Sequence, residues 1–119
     1  MAKVLVADDE PDIRDIVARA LRHAGHEVEV ASDGAAALEK MANDSYDLLL
    51  TDIVMPIMDG VALALKVSKD YPGTRILMMT GYANERDRAY NLDLLIHDIV
   101  LKPFTVDEII LKVDDALQG

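Results

Sequence analysis

Four charged positions, Asp8, Asp9, Asp52 and Lys102, stand where apolar runs end. Asp8-Asp9 follows Val4-Leu5-Val6-Ala7, and Asp52 follows Leu48-Leu49-Leu50-Thr51. Lys102 follows Ile99-Val100-Leu101 and precedes Pro103. Clustered carboxylates repel one another, and a bound cation relieves that repulsion. Mg²⁺ takes hard oxygen ligands, so Asp8, Asp9 and Asp52 are candidates to hold it. An aspartate can also act as a nucleophile and carry an acyl phosphate. Asp52, at the end of the middle run, is the candidate for that step. Lys102 can neutralise phosphoryl oxygens as a point charge. Thr80 ends a further run, Ile76-Leu77-Met78-Met79, and can donate a hydroxyl to the same group, while Gly81 leaves room for it.

These residues need a scaffold that brings distant strand ends together. The apolar runs predict strands near 3–8, 26–31, 46–52, 75–80 and 98–102, alternating with helix-period segments, which argues for α/β with a parallel sheet. In such a sheet the carboxyl edge is where ligands bind. The first helix begins at Pro11 and stops at Gly25, with Ile13, Ile16, Val17, Ala20, Leu21 and Ala24 as its expected inner face. A second helix is predicted over 35–43 after the Asp33-Gly34 turn, its inner face Leu38, Met41 and Ala42. A third spans 60–71 with Val61, Ala64, Leu65 and Ser68 inward, and stops at Tyr71-Pro72-Gly73. A fourth, weaker in period, falls at 84–95. Thr105-Val106-Asp107-Glu108 is a capping box that opens the fifth. Ile109, Ile110, Val113 and Leu117 form its face. Five βα units account for residues 1–119, which reads as one domain.

The 119 residues carry a net charge of −10, 51% hydrophobic residues and no cysteine. That composition is globular, and it excludes disulfides and thiol chemistry. An acidic surface repels phosphate backbones and anionic lipids, so direct nucleic-acid or membrane binding is not expected. Without a signal-like or membrane-spanning stretch, a cytoplasmic location is expected. His23, His26 and His97 are dispersed, so metal binding or catalysis by them is not expected, and His23 is placed at a helix end, where a cation suits the dipole.

Taken singly, each motif has an ordinary structural reading. Asp-Asp after a strand can be a turn or a helix cap, and Lys-Pro can terminate a strand. Thr80 can be a buried hydroxyl bonded to backbone. Asp33-Gly34 and Asp59-Gly60 are read as turns. Together, however, the motifs resemble the receiver domains of two-component response regulators. The match rests on Asp8-Asp9, the segment Leu50-Thr51-Asp52-Ile53-Val54-Met55-Pro56-Ile57-Met58-Asp59-Gly60, Thr80-Gly81 and Lys102-Pro103-Phe104.

That resemblance implies a flavodoxin-like (βα)5 fold with strand order 2-1-3-4-5. It implies phosphorylation of Asp52 by a histidine kinase or phosphotransfer protein. Mg²⁺ would be held by Asp9 and Asp52, with Asp8 and the Val54 carbonyl completing the set. Thr80 and Lys102 would sense the phosphoryl group and repack the surface of the fourth helix, fifth strand and fifth helix, which binds an output protein. A stand-alone receiver, monomeric or weakly dimeric and without its own effector, is expected. It is not a conventional enzyme, although it assists its own phosphorylation and dephosphorylation. Two departures from the family stand out. Ile99 occupies the position of the usual aromatic switch residue, and Leu94-Leu95-Ile96-His97-Asp98 replaces a turn of small residues. Val54 and Tyr82 correspond to positions that tune phosphate lifetime.

Other classes fit less well. A Mg²⁺-dependent phosphatase would need a cap over its substrate, and no segment offers one. A flavin carrier would need a hydroxyl-rich phosphate loop where Asp8-Asp9-Glu10 stands, and those charges repel a phosphate. A receiver that works without phosphate conflicts with the complete acidic set, although Ile99 leaves that reading open for the output step.

Overall fold

The computed structural model describes residues 2–81 and 96–118. Its strands are β1 (Lys3–Ala7), β2 (Glu27–Ala31), β3 (Leu48–Asp52), β4 (Arg75–Thr80) and β5 (Asp98–Leu101). The described helices are α1 (Pro11–His23), α2 (Gly34–Asn43), α3 (Gly60–Asp70) and α4 (Val106–Gln118). The helix expected over 84–95, together with Tyr82, lies outside the described residues, so α4 is the fifth helix expected from the sequence. All strand pairs are parallel, in the order β2-β1-β3-β4-β5. This is the flavodoxin-like order, and every expected strand is present within two residues of its expected ends.

Parallel strands are covered on both faces and therefore read as continuous apolar runs. β3, with all five residues buried, is the clearest example. On one face, Val4, Val6, Leu48, Leu50, Leu77 and Met79 pack against Val17 and Leu21 of α1 and Ile109 and Val113 of α4. On the other, Leu5, Leu49, Ile76 and Met78 pack against Met41 of α2 and Leu63, Ala64 and Val67 of α3.

Helix faces depart from the sequence reading in several places. In α1 the buried residues are Val17, Ala18 and Leu21, and Ile16 is 52% exposed. The contact follows the i, i+4 ridge through Ile13, Val17 and Leu21, and Ile16 falls outside it. In α2, Ala37 rather than Ala42 faces the core, beside Met41 and the partly buried Leu38. In α3 the buried side is Gly60, Leu63, Ala64 and Val67, and Leu65 is exposed. Leu65 lies on the exposed side beside Lys66 and Lys69, an apolar residue among charges.

The capping box forms as expected. Glu108 N–H donates to Thr105 Oγ1 at 3.1 Å, and Thr105 N–H donates to Glu108 Oε1 at 3.2 Å. Thr105→Ala is expected to cost about 1 kcal/mol, read as a lower urea midpoint at unchanged slope. Two histidines anchor α4 from the strand side. His26 Nε2 lies 3.2 Å from Asp114 Oδ1, and His97 Nε2 lies 3.1 Å from Asp115 Oδ2. Within the 94–98 departure, Ile96 is buried in the core on the face of the sheet that carries α2 and α3.

Candidate functional site

Register brings the charged residues together. β1 pairs β3 with Ala7 opposite Thr51, β3 pairs β4 with Asp52 opposite Met79, and β4 pairs β5 with Thr80 opposite Leu101. Asp8, Asp52, Thr80 and Lys102 therefore emerge along one carboxyl edge. β1 and β3 are neighbours whose connections lead to opposite sides of the sheet. A crevice opens at such a switch point. The cleft there has a volume of about 400 Å³ and is lined by Asp9, Glu10, Asp52 and Lys102, with Val54 and Gly81. Two larger clefts, about 570 and 520 Å³, lie at the opposite edge. Neither holds a comparable cluster of acids around a lysine.

Asp8 is fully buried. Its Oδ1 accepts from Glu10 N–H at 2.9 Å, and its carbonyl accepts from Arg14 Nη1 at 3.0 Å. Asp52 is 6% exposed, and its Oδ1 accepts from Ile53 N–H at 3.0 Å. Lys102 reaches into this acidic centre. Its Nζ lies 3.3 Å from Asp52 Oδ1, 3.5 Å from Asp8 Oδ2 and 3.9 Å from Glu10 Oε1. Its backbone N–H donates to the Thr80 carbonyl at 2.7 Å, which ties the lysine to the buried threonine. The Lys102–Pro103 peptide bond is cis.

The charges set the protonation of the site. Burial raises the Asp52 pKa to about 6; Lys102 pulls it down, and Asp8 pushes it up again. Desolvation works against the Lys102 ammonium, but Asp52 and Asp8 outweigh it and hold its pKa above the ordinary lysine value. At neutral pH the site thus presents an ionised Asp52 facing a charged lysine. One ammonium among three acids leaves the centre net negative, an arrangement that favours a further cation.

Carboxylate oxygens of Asp8, Glu10 and Asp52 all lie within 4.8 Å of one another. Three hard oxygen donors so close, two of them on buried residues, fit a small divalent cation. Glu10 is the member that the sequence reading did not single out. The chain bends at Asp9, and Glu10 N–H bonds back to Asp8 Oδ1 at 2.9 Å, which keeps Glu10 beside Asp8. The signal is Asp8 two residues before Glu10 at a strand end, the spacing at which an aspartate side chain accepts from the backbone and turns the chain. Asp9 between them is exposed and lines the cleft, and Val54 is 51% exposed at its rim. Ile99 is partly buried and packs against the core on the α2 and α3 side.

Two glycines read as turns have closer roles. Asp33 and Asp59 are N-caps, accepting from Ala36 N–H at 2.7 Å and Ala62 N–H at 2.9 Å. Gly60, after Asp59, passes so near the strand that a Cβ there would lie 2.0 Å from the Asp52 carbonyl oxygen.

Comparisons with known proteins agree with this geometry. Residues 4–114 match the response regulator receiver domain family. The probable transcriptional regulatory protein TcrX of Mycobacterium tuberculosis is 33% identical over 97% of this chain and 49% of its own length. The response regulator receiver protein CpdR of Brucella abortus is 41% identical over 70% of this chain and 69% of its own. The chain thus spans about half of TcrX and about two-thirds of CpdR. Among solved structures, the response regulator TrrA of Thermotoga maritima, in complex with Mg²⁺-BeF, superposes with a TM-score of 0.87 at 32% identity, covering 98% of this chain and 99% of that one. The acidic crevice at the β1–β3 switch point and the near-complete family match lead to one assignment: this chain belongs to the response regulator receiver domain family of two-component systems.

Proposed function

We propose that the chain is a phosphorylation-controlled signalling module that takes a phosphoryl group on Asp52. The observation that carries this reading is Lys102 Nζ at 3.3 Å from Asp52 Oδ1, inside an acidic cleft open to solvent. In the transfer, an Asp52 carboxylate oxygen forms a bond to phosphorus. The bond from phosphorus to the donor's imidazole nitrogen breaks, and its electron pair stays on that nitrogen. Asp52 must be ionised to attack, and a pKa of about 6 keeps most of it so at pH 7. Phosphoryl transfer depends chiefly on positioning and charge neutralisation. Lys102 supplies one counter-charge to the phosphoryl oxygens, and the Thr80 hydroxyl is the proposed donor to another. Mg²⁺, when bound, neutralises developing negative charge on the transferring group. Asp8, Asp9 and Asp52 with the Val54 carbonyl are the proposed holders, and Glu10 joins this set on its proximity to Asp8 and Asp52.

The proposed donor is a histidine kinase or histidine phosphotransfer protein. The proposed output surface comprises residues 84–95, β5 and α4, and it engages a protein partner in the cytoplasm. With Ile99 in place of an aromatic, the proposed switching does not run through an aromatic rotamer at that position. A net charge of −10 supports protein partners over nucleic acid.

Incubation with acetyl phosphate, with and without Mg²⁺, followed by intact-mass measurement, tests the reading. A gain of one phosphoryl group that needs Mg²⁺ and is lost in Asp52→Asn is the expected result. A phosphoryl gain that persists in Asp52→Asn would sink the assignment of Asp52.

A further inference from the structure

The loop from Ile53 to Asp59, directly after Asp52, holds a backbone conformation that does not sustain itself. Met58 N–H donates to the Pro56 carbonyl at 2.7 Å, closing a three-residue turn. Its central residue, Ile57, has φ +70°. That is the strained hand of the γ-turn, and a β-branched residue adopts it at a cost. Ile57 is 83% exposed, so its side chain gains little from packing in return. Strain of this kind persists only where the surroundings over-determine it.

Two contacts do so. At one end, Gly60 N–H donates to the Ile53 carbonyl at 2.7 Å and closes the loop on itself. At the other, the first turn of α2 presses on Met58. Gly34 is buried, its N–H donates to the Met58 carbonyl at 3.2 Å, and a Cβ at Gly34 would lie 2.5 Å from that carbonyl oxygen and 2.8 Å from Met58 Cβ. Gly34 does not have the positive φ that would require glycine for conformation. What it supplies is proximity. Asp33 fixes this helix start by capping Ala36. The same loop carries Val54 to the rim of the cleft beside Asp52.

We infer that Gly34 is a positioning residue for the phosphorylation site: by letting α2 seat against Met58, it clamps the strained turn and thereby fixes Val54 at the cleft. The inference rests on the reading of that cleft as a Mg²⁺ and phosphoryl site. It adds α2, which contributes no residue to the cleft, as the element that sets the loop's geometry. With a side chain at position 34, Met58 must give way, the turn at Ile57 relaxes, and Val54 leaves its place while Asp8, Asp52 and Lys102 keep theirs.

The test compares full-length wild type, Gly34→Ala, Met58→Gly and Val113→Ala. Val113 lies in the core on the opposite face and serves as a control of reduced stability. Amide exchange is read at Gly60 and across β1 and β3, and Mg²⁺ titration is followed by the amide shift of Val54. Gly34→Ala is expected to lose Gly60 protection, with strand amides unchanged, and to weaken Mg²⁺ binding by about 10-fold or more. Val113→Ala should lose protection globally while keeping its Mg²⁺ affinity. If Gly34→Ala does not fold, Met58→Gly, which removes the side chain against which Gly34 packs, is expected to give the same loop-specific pattern. Wild-type protection at Gly60 in a folded Gly34→Ala, or in Met58→Gly where that stands in, overturns the inference. A wild type that shows no Mg²⁺-dependent shift would end the metal reading alone, and the Gly60 amide would still decide the positioning claim.

Discussion

Gly60→Ala is expected to lower stability by about 3 kcal/mol or more, at the upper end of what overpacking costs, and to reduce phosphoryl uptake in the fraction that remains folded. The new Cβ would sit 2.0 Å from the Asp52 carbonyl oxygen and 2.9 Å from Ile53 Cα, both backbone. A flexible side chain could swing away from such a contact, but backbone in a central strand cannot. The Asp52 carbonyl is also held by Thr51 Oγ1, which donates to it at 2.9 Å. Either α3 must lift from the sheet, uncovering Leu63, Ala64 and Val67, or the end of β3 must shift and take the Asp52 carboxylate with it. Urea unfolding gives the stability, and intact mass after acetyl phosphate gives the uptake. Gly73→Ala is the matched control, because no atom lies within 4 Å of a Cβ at that position. A Gly60→Ala protein within about 1 kcal/mol of wild type would mean that the strand–helix approach is looser than described.

The contrast between these glycines marks what the sequence could convey. Strands were legible because burial on both faces leaves an uninterrupted apolar run, and the charge that ends each run is the site residue itself. The pattern of runs and charges thus places Asp8, Asp52, Thr80 and Lys102 at strand ends. Glu10 was harder to see, because the acidic run from Asp8 to Asp12 mixes cleft-facing carboxylates with charges that suit a helix start. Only the bend at Asp9, closed by Asp8 on Glu10 N–H, separates the two. Gly34 and Gly60 were legible as turn residues but not as packing contacts. A glycine chosen for closeness leaves no mark until its partner, a carbonyl from elsewhere in the chain, is known. Ile16 and Leu65 misled for a related reason: helical periodicity marks an apolar stripe but not where the neighbouring sheet ends beneath it.

The largest electrostatic effect is expected to run in opposite directions for the two partners at the centre of the site. Asp52 has a folded pKa of about 6, raised first by burial, so between the ordinary aspartate value and pH 6 the folded chain binds more protons than the unfolded one. Stability then falls as pH rises through that window. The cost is fully present above pH 6 and amounts to at most about 3 kcal/mol. Asp52→Asn removes it. Metal-free Asp52→Asn is therefore expected to be more stable than wild type at pH 7.5, by about 1 to 3 kcal/mol, with the gain disappearing below pH 4. Lys102→Met acts oppositely. It takes away the cation that partly offsets the buried Asp8 and Asp52, and removing one member of a buried charge set costs about 3 kcal/mol or more. That loss should shrink on acidification, as Asp52 protonates and no longer needs a counter-charge. In the double variant the loss should be smaller than in Lys102→Met alone, because only Asp8 then remains as a buried acid facing the missing ammonium. The non-additivity measures the coupling across the 3.3 Å contact. Thermal unfolding in chelator at pH 4, 5.5 and 7.5 reads all four proteins. An Asp52→Asn protein less stable than wild type at pH 7.5 would show that Lys102 more than compensates the burial of Asp52. It would place the strain of the metal-free site elsewhere than on its central carboxylate.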